Sequence, residues 1–231
     1  MAKNNNIRDL LKSVADAIRS KKGITDLINP QNFHNEILSI GGNTDDFIDS
    51  TGLGKNGIKK IIISNGVESI DNRAYFEWSV ESIILPDSIL KVGSSAFYGT
   101  KLHELIIPPK VSIYEYELTQ NCSLLSKVFI PEGIIQIRGY AFKNCISLPR
   151  VDLPSSILYI ENQAFFGCTS LKTIVINATT PPSLSNSQAF SSNAEERLFY
   201  VPDASVDAYK SATNWSTYAD VIKPLSELPN E

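Results

Sequence analysis

The sequence predicts a β-rich solenoid of about six stacked turns, preceded by a small α-helical segment and closed by a C-terminal cap. Three observations predict it. An apolar triplet at offsets 0, 3 and 5 recurs six times, at intervals of 22, 22, 23, 23 and 23 residues. A small residue followed by an aromatic recurs in the same register. The three cysteines, Cys122, Cys145 and Cys168, are themselves spaced by 23 and 23. Self-similarity at such a period marks an array in which one unit cannot enclose a core and stacking does so instead.

The elements follow in chain order. Asn6 is placed to cap a helix whose apolar positions Ile7, Leu10, Leu11, Val14 and Ile18 fall on one face. Lys21 and Lys22 suit its last turn and Gly23 its end. Asn29-Pro30 opens a second short helix carrying Phe33, Ile37 and Ile40, which Gly41-Gly42 ends. Residues 1–42 therefore read as a helical docking segment, with a cap over the first turn as the alternative. The polar, glycine-bearing stretch 43–57 reads as a linker.

The repeats occupy the chain from residue 58. The triplets are Ile58/Ile61/Ile63, Val80/Ile83/Leu85, Leu102/Leu105/Ile107, Leu125/Val128/Ile130, Leu148/Val151/Leu153 and Leu171/Ile174/Ile176. The last two members of each alternate with period 2, so each marks a short strand with one buried face. Pro86, Pro108, Pro131 and Pro154 follow directly and end the ladder at the same place, because proline has no N–H to donate. Apolar pairs come next: Val67/Ile70, Ile89/Val92, Val111/Tyr114, Ile134/Ile137 and Ile157/Ile160. Then come Ala74-Tyr75, Ala96-Phe97, Ala141-Phe142 and Ala164-Phe165, and three residues on, Trp78, Thr100, Cys145 and Cys168. At about 4.7–4.9 Å per strand, six turns rise about 24 Å. The third turn departs from the pattern: Leu118-Thr119 stand in the alanine–aromatic slots, so Tyr114 or Leu118 must fill the gap. The aromatic tail from about Leu198 to Ile222 reads as the cap.

The unit L-x-x-I-x-I-P-x-x-[VI]-x-x-[IV]-x-x-x-A-F-x-x-C, which Leu125–Cys145 and Leu148–Cys168 follow throughout, resembles the BspA-like leucine-rich repeat of bacterial surface proteins. The ending Leu198-Phe199-Tyr200-Val201-Pro202, with Val206-Asp207-Ala208-Tyr209, Trp215, Tyr218, Ile222 and Pro224, resembles that family's terminal segment. The resemblance spans about residues 58–224 and implies a right-handed leucine-rich-repeat stack that binds and does not catalyse. Residues 7–40, with Ala15-Asp16-Ala17-Ile18, Ile28-Asn29-Pro30 and Phe33-x-x-x-Ile37-x-x-Ile40, resemble a short module of bacteriophage and prophage tail and fibre proteins. Together these imply a virion component of tail, baseplate or head fibre, made in the host cytoplasm and self-associating. It would face a neighbouring virion protein or a host-surface protein or glycan. The repeats alone favour the alternative of a bacterial cell-surface adhesin or interaction protein.

Composition narrows the function classes. The net charge of −4 supplies no basic field for a phosphate backbone, so nucleic acid is not an expected partner. No stretch approaches the roughly 18 apolar residues of a membrane span, so no insertion is expected. In the first 18 residues the apolar run Leu10-Leu11 meets Lys12 at once, so no secretory signal is read there. His34 and His103 are the two histidines, and neither has a nucleophile or carboxylate at fixed spacing. The cysteines lack metal-ligand spacing and fall on repeat slots, which predicts buried, reduced thiols. No phosphate-loop or nucleophile-elbow motif is present. No cofactor, metal or catalytic residue is expected.

The candidate site lies on the other strand face. The residue between the two buried positions of each strand points outward, and along the stack it is Ile62, Ile84, Ile106, Phe129, Asp152 and Val175. Five of the six are apolar, where a solvated face alternates to polar. Strand propensity explains this, as does cover by the N-terminal helix. A partner surface explains it too, with Glu104, Lys127 and Arg150 as its polar rim. The irregular third turn, at Tyr114, Tyr116 and Glu117, is the secondary candidate.

Overall fold

Each of the triplets from residue 59 onward forms a strand, and the proline or turn behind it sends the chain around to a second, shorter one. The computed structural model describes residues 59–229 apart from Ser112. The readings of residues 1–42 and 43–57, of Ile58 and of His34 lie outside the described residues.

One wall of the solenoid is built from β1 (Lys60–Ile62), β3 (Ser82–Ile84), β5 (Glu104–Ile106), β7 (Lys127–Phe129), β9 (Arg150–Leu153), β11 (Thr173–Ile176), β13 (Leu198–Val201) and β14 (Ile222–Pro224). The second wall is built from β2 (Ser69–Ile70), β4 (Lys91–Val92), β6 (Ile113–Tyr114), β8 (Gln136–Ile137), β10 (Tyr159–Ile160) and β12 (Ser183–Leu184). All pairings are parallel, and equivalent residues of successive turns face each other, as in Ile61↔Ile83, Leu105↔Val128 and Val151↔Ile174. The first wall is three ladders, not one: β1–β3, β5–β7 and β9–β11–β13–β14.

The stack has about seven turns. Phe199 of β13 pairs with Ile174, so Leu198–Val201 is a strand of the stack as well as the start of its closure. Ala189-Phe190 fills the alanine–aromatic slot of the added turn, and both residues are fully buried. Asn193 takes its cysteine slot, and its amide donates to the carbonyls of Phe165 (3.0 Å) and Cys168 (3.3 Å).

The core is a set of side-chain columns. Phe142, Phe165 and Phe190 stack with centroids 5.1 Å apart, and Tyr75 stacks on Phe97 at 5.8 Å. Thr119 interrupts this ring column. It is fully buried, donates to the Ala141 carbonyl at 3.0 Å, and Leu118 beside it fills the missing volume at 2% exposure. Of the two refills expected, Leu118 is therefore seated in the core, whereas the Tyr114 side chain lies outside the described residues. At the far end Phe199, Tyr209, Trp215 and Tyr218 form the closing cluster, with Phe199–Trp215 at 5.7 Å and Tyr209–Trp215 at 5.2 Å. Helix α1 (Val206–Ser211) carries Tyr209, whose hydroxyl donates to the Ala178 carbonyl at 2.8 Å. No described helix is long and apolar enough to cross a membrane.

A third ladder joins the turns at the corner before the ring column. Arg73, Ser95, Glu117, Tyr140 and Gln163 all have φ between 53° and 61°. An L-residue in this left-handed region costs about 1–3 kcal/mol, which persists only where neighbours over-determine the geometry. They do here: Arg73 N–H donates to Ser94 O (2.8 Å), Ser95 N–H to Tyr116 O (2.9 Å), Glu117 N–H to Gly139 O (3.1 Å) and Tyr140 N–H to Asn162 O (3.1 Å).

Candidate partner-binding face

Strand pleating fixes the site. In β1, β3 and β5 the central residue enters the core and its two neighbours point out. Ile62, Ile84, Ile106 and Phe129 are accordingly 37%, 48%, 56% and 55% exposed. Ile62 pairs with Ile84 and Ile106 with Phe129, one per turn, so the four form a strip along the stack axis. A contiguous apolar strip on an outer face is the usual mark of a contact surface.

The rim residues are organised as ion pairs, two of them across turns and one within β9. Lys127 Nζ lies 2.9 Å from Glu104 Oε1, and Lys59 Nζ lies 2.8 Å from Glu81 Oε1. The lysine hydrogen bond, with its charge, lowers the Glu81 pKa. Arg150 grips Asp152 with Nε 2.9 Å from Oδ2 and Nη2 2.9 Å from Oδ1. Exposed pairs of this kind set orientation more than stability.

Val175 does not belong to the strip: it is 4% exposed. It sits in register between Asp152 and Tyr200 in the continuous ladder β9–β11–β13. A short side chain flanked on both sides by longer ones sinks below their tops. Tyr200 is itself buried at 5%, so the outward face closes over in the last turns. The strip ends at Phe129.

At the irregular turn Tyr116 is 44% exposed. Its ring packs over Gly139, where an added Cβ would come within 3.1 Å of it, and beside the Arg138 guanidinium, 5.6 Å from the ring centroid. Glu117 accepts the Ser95 hydroxyl at 2.7 Å and is half-buried. The two residues therefore belong to the same turn but lie in different contacts.

The sequence reading missed a second exposed apolar row. Leu90, Ile135 and Leu158 stand outward at equivalent places ahead of β4, β8 and β10. The signal was present, since each directly follows a buried isoleucine of the repeat: Ile89, Ile134 and Ile157.

Cys122, Cys145 and Cys168 are buried free thiols that donate to the carbonyls of Phe97 (2.9 Å), Thr119 (3.2 Å) and Phe142 (3.0 Å). Burial pushes the Cys122 thiol up to about 11 and Cys168 up to about 12, and raises Cys145 well above its ordinary value. They are inert as nucleophiles at neutral pH. Among the described residues no group of three or more His, Cys, Asp and Glu side chains is placed to hold a metal ion.

The family match agrees with this architecture. The family model of the BspA type leucine rich repeat region matches residues 48–172 and 112–210, with 6 copies. No curated relative matches the chain. Among solved structures, a leucine-rich-repeat protein of T. pallidum is 21% identical with a TM-score of 0.42, over 68% of this chain and 62% of that one. A leucine rich cell surface protein of Faecalibacterium prausnitzii is 20% identical with a TM-score of 0.34, over 72% and 59%. A leucine-rich repeat protein of Bacteroides ovatus is 20% identical with a TM-score of 0.41, over 74% and 54%. The chain thus spans about six-tenths of the length of the first two and just over half of the third.

Proposed function

We propose, for a chain that belongs to the BspA type leucine rich repeat family, a non-catalytic binding role in which the strip Ile62–Ile84–Ile106–Phe129 meets a partner protein. The observation that carries this is the exposure of four large apolar side chains, one per turn, on a strand face with alternating inward and outward residues. Covering a large apolar side chain fully is worth about 1.5–3 kcal/mol, a gain that a threonine or lysine face would not offer. Glu104 and Lys127 flank the strip and orient the partner.

The setting we favour is a bacteriophage particle, with the solenoid turned toward a host-surface molecule or a neighbouring virion protein and presented in several copies. Multiple copies make weak single contacts sufficient. The support is the resemblance of residues 7–40 to tail and fibre modules. The second reading, a bacterial cell-surface adhesin, is supported by the repeat family itself. Mass spectrometry of purified particles, run beside protease-shaved cells of the producing bacterium, separates them. Peptides of this chain in the particles support the virion, and peptides from intact cells support the adhesin.

A further inference from the structure

We infer that the cleft beside Phe129, where the first wall opens between β7 and β9, binds a neutral saccharide. The inference rests on reading this strand face as the binding face.

The opening lies at one of the two places among the described residues where the pairing along this wall is interrupted, the other being between β3 and β5. β7 pairs with β5, and β9 pairs with β11, but no pairing among the described residues joins β7 to β9. At this interruption, unlike the other, a core-phase residue, Val128, is partly uncovered. Its register neighbour Leu105 and its counterpart in the next turn, Val151, are 1% and 0% exposed, yet Val128 is only partly buried. The resulting cleft holds about 370 Å³, within the size range of small-ligand sites. Val128 and Phe129 form its apolar part, and Lys127, Arg150 and Asp152 its polar part.

That mixture selects a ligand class. A pyranose presents C–H groups on one ring face and hydroxyls around its edge. The Phe129 ring, 55% exposed, supplies a plane for the first. The hydroxyls each donate and accept, and the cleft offers both functions. Lys127 carries three N–H donors, of which Glu104 engages one, and each Asp152 oxygen retains acceptor capacity beyond its Arg150 bond. The charges cancel: Lys127 is paired with Glu104 and Arg150 with Asp152. An acidic sugar gains at the cations what it loses at the carboxylates, so neutrality of the ligand is favoured. A wholly apolar side chain from a partner protein would strip water from four charged groups without replacing their hydrogen bonds, which is costly.

The test is calorimetric titration of the full chain with gluco-, manno- and N-acetylglucosamine oligosaccharides, and with oligogalacturonate as the acidic probe. At least one neutral probe should bind with a Kd of about 1 mM or tighter. Phe129→Ala and Asp152→Asn should each weaken it about tenfold or more, while Ile84→Lys, two turns away, should leave it unchanged. Thermal melts establish that each variant is folded; all three positions point away from the core. Flat titrations with every neutral probe, tighter binding of oligogalacturonate, or affinity that survives Phe129→Ala would each overturn the assignment. If the sugar titrations are flat while Ile84→Lys still weakens protein association, the saccharide site falls and the protein-facing strip stands. If sugars bind and Ile84→Lys leaves protein association untouched, the reverse holds.

Discussion

The double change Ile106→Lys and Phe129→Lys tests the strip at its most exposed point. The two side chains are 56% and 55% exposed, are paired in register on β5 and β7, and enter no core contact through their outer faces. Full burial of such a side chain is worth about 1.5–3 kcal/mol, so covering the exposed half of each is worth about 0.8–1.5 kcal/mol. The pair together then contributes about 1.5–3 kcal/mol to any complex that covers it, and its loss weakens association about 10- to 150-fold. Two buried lysines would add a desolvation cost on top. Folding should change little, since outward surface substitutions fall within about 0.5 kcal/mol each. The assay is sedimentation velocity of the purified chain for self-association, repeated with the cognate particle or cell extract, alongside thermal melts. Loss of association with an unchanged melt supports the reasoning. A cooperative loss of folding would mean that the strand register is off by one and the strip is core. An unchanged melt with unchanged association would move the binding surface elsewhere, first to the turn around Tyr116.

Four further outcomes follow from the packing. Thiol reagents at pH 8 should modify Cys122, Cys145 and Cys168 at least about a hundredfold more slowly in the native than in the denatured protein, because modification requires opening of the stack. The stability contributed by the buried thiols should be level below about pH 9 and fall from there toward about pH 12. The buried thiols hold their protons up to about 11 and 12 while the unfolded chain releases them near 9, so the unfolded state binds fewer protons in that window; urea melts across pH 8–11 with a Cys122→Ala/Cys168→Ala control read the slope. Phe165→Ala should cost about 3–5 kcal/mol by differential scanning calorimetry, since the ring is fully buried and stacked on both sides at 5.1 Å. Deleting residues 1–42 should leave the far-ultraviolet circular dichroism and melting cooperativity of the solenoid intact, and a truncated chain that unfolds would assign those residues to closing the first turn.

The repeat made most of the fold legible because in a solenoid one sequence slot is one place in the structure. Triplet spacing placed Leu102, Leu125, Leu148 and Leu171 in the core, and all are fully buried. The added turn was harder to read. Phe199 lies 25 residues after Ile174 and Phe190 lies 25 after Phe165, two beyond the running interval, and Asn193 replaces the cysteine that would have marked the slot. The left-handed column was invisible because arginine, serine, glutamate, tyrosine and glutamine carry no signal for positive φ; the cross-turn hydrogen bonds impose it. Site residues were legible where exposure follows from strand phase alone, as at Ile84 and Ile106. Val175 has the same phase, but its burial depends on Tyr200 in the next turn, which no pattern within its own repeat reveals.

Val128 and Val175 fail the pattern in opposite directions. Inside the continuous ladder β11 and β13 are flanked on both sides, and even their outward side chains Val175 and Tyr200 are covered. At the interruption after β7 a core-phase residue is partly uncovered and the aromatic beside it stands proud, whereas at the interruption between β3 and β5 the core-phase residues Ile83 and Leu105 stay buried. The ring column is unbroken from Phe142 to Phe190 and interrupted at Thr119, so the inner stacking and the outer ladder lose continuity in neighbouring turns. Stability in a stack is a sum of nearest-neighbour terms. On the first wall the exposed apolar strip thus lies on the turns before β9, whereas beside the second wall Leu158 stays exposed beyond it. A binding face needs side chains whose contacts are incomplete until a partner arrives, and on the first wall Ile62, Ile84, Ile106 and Phe129 are side chains of that kind.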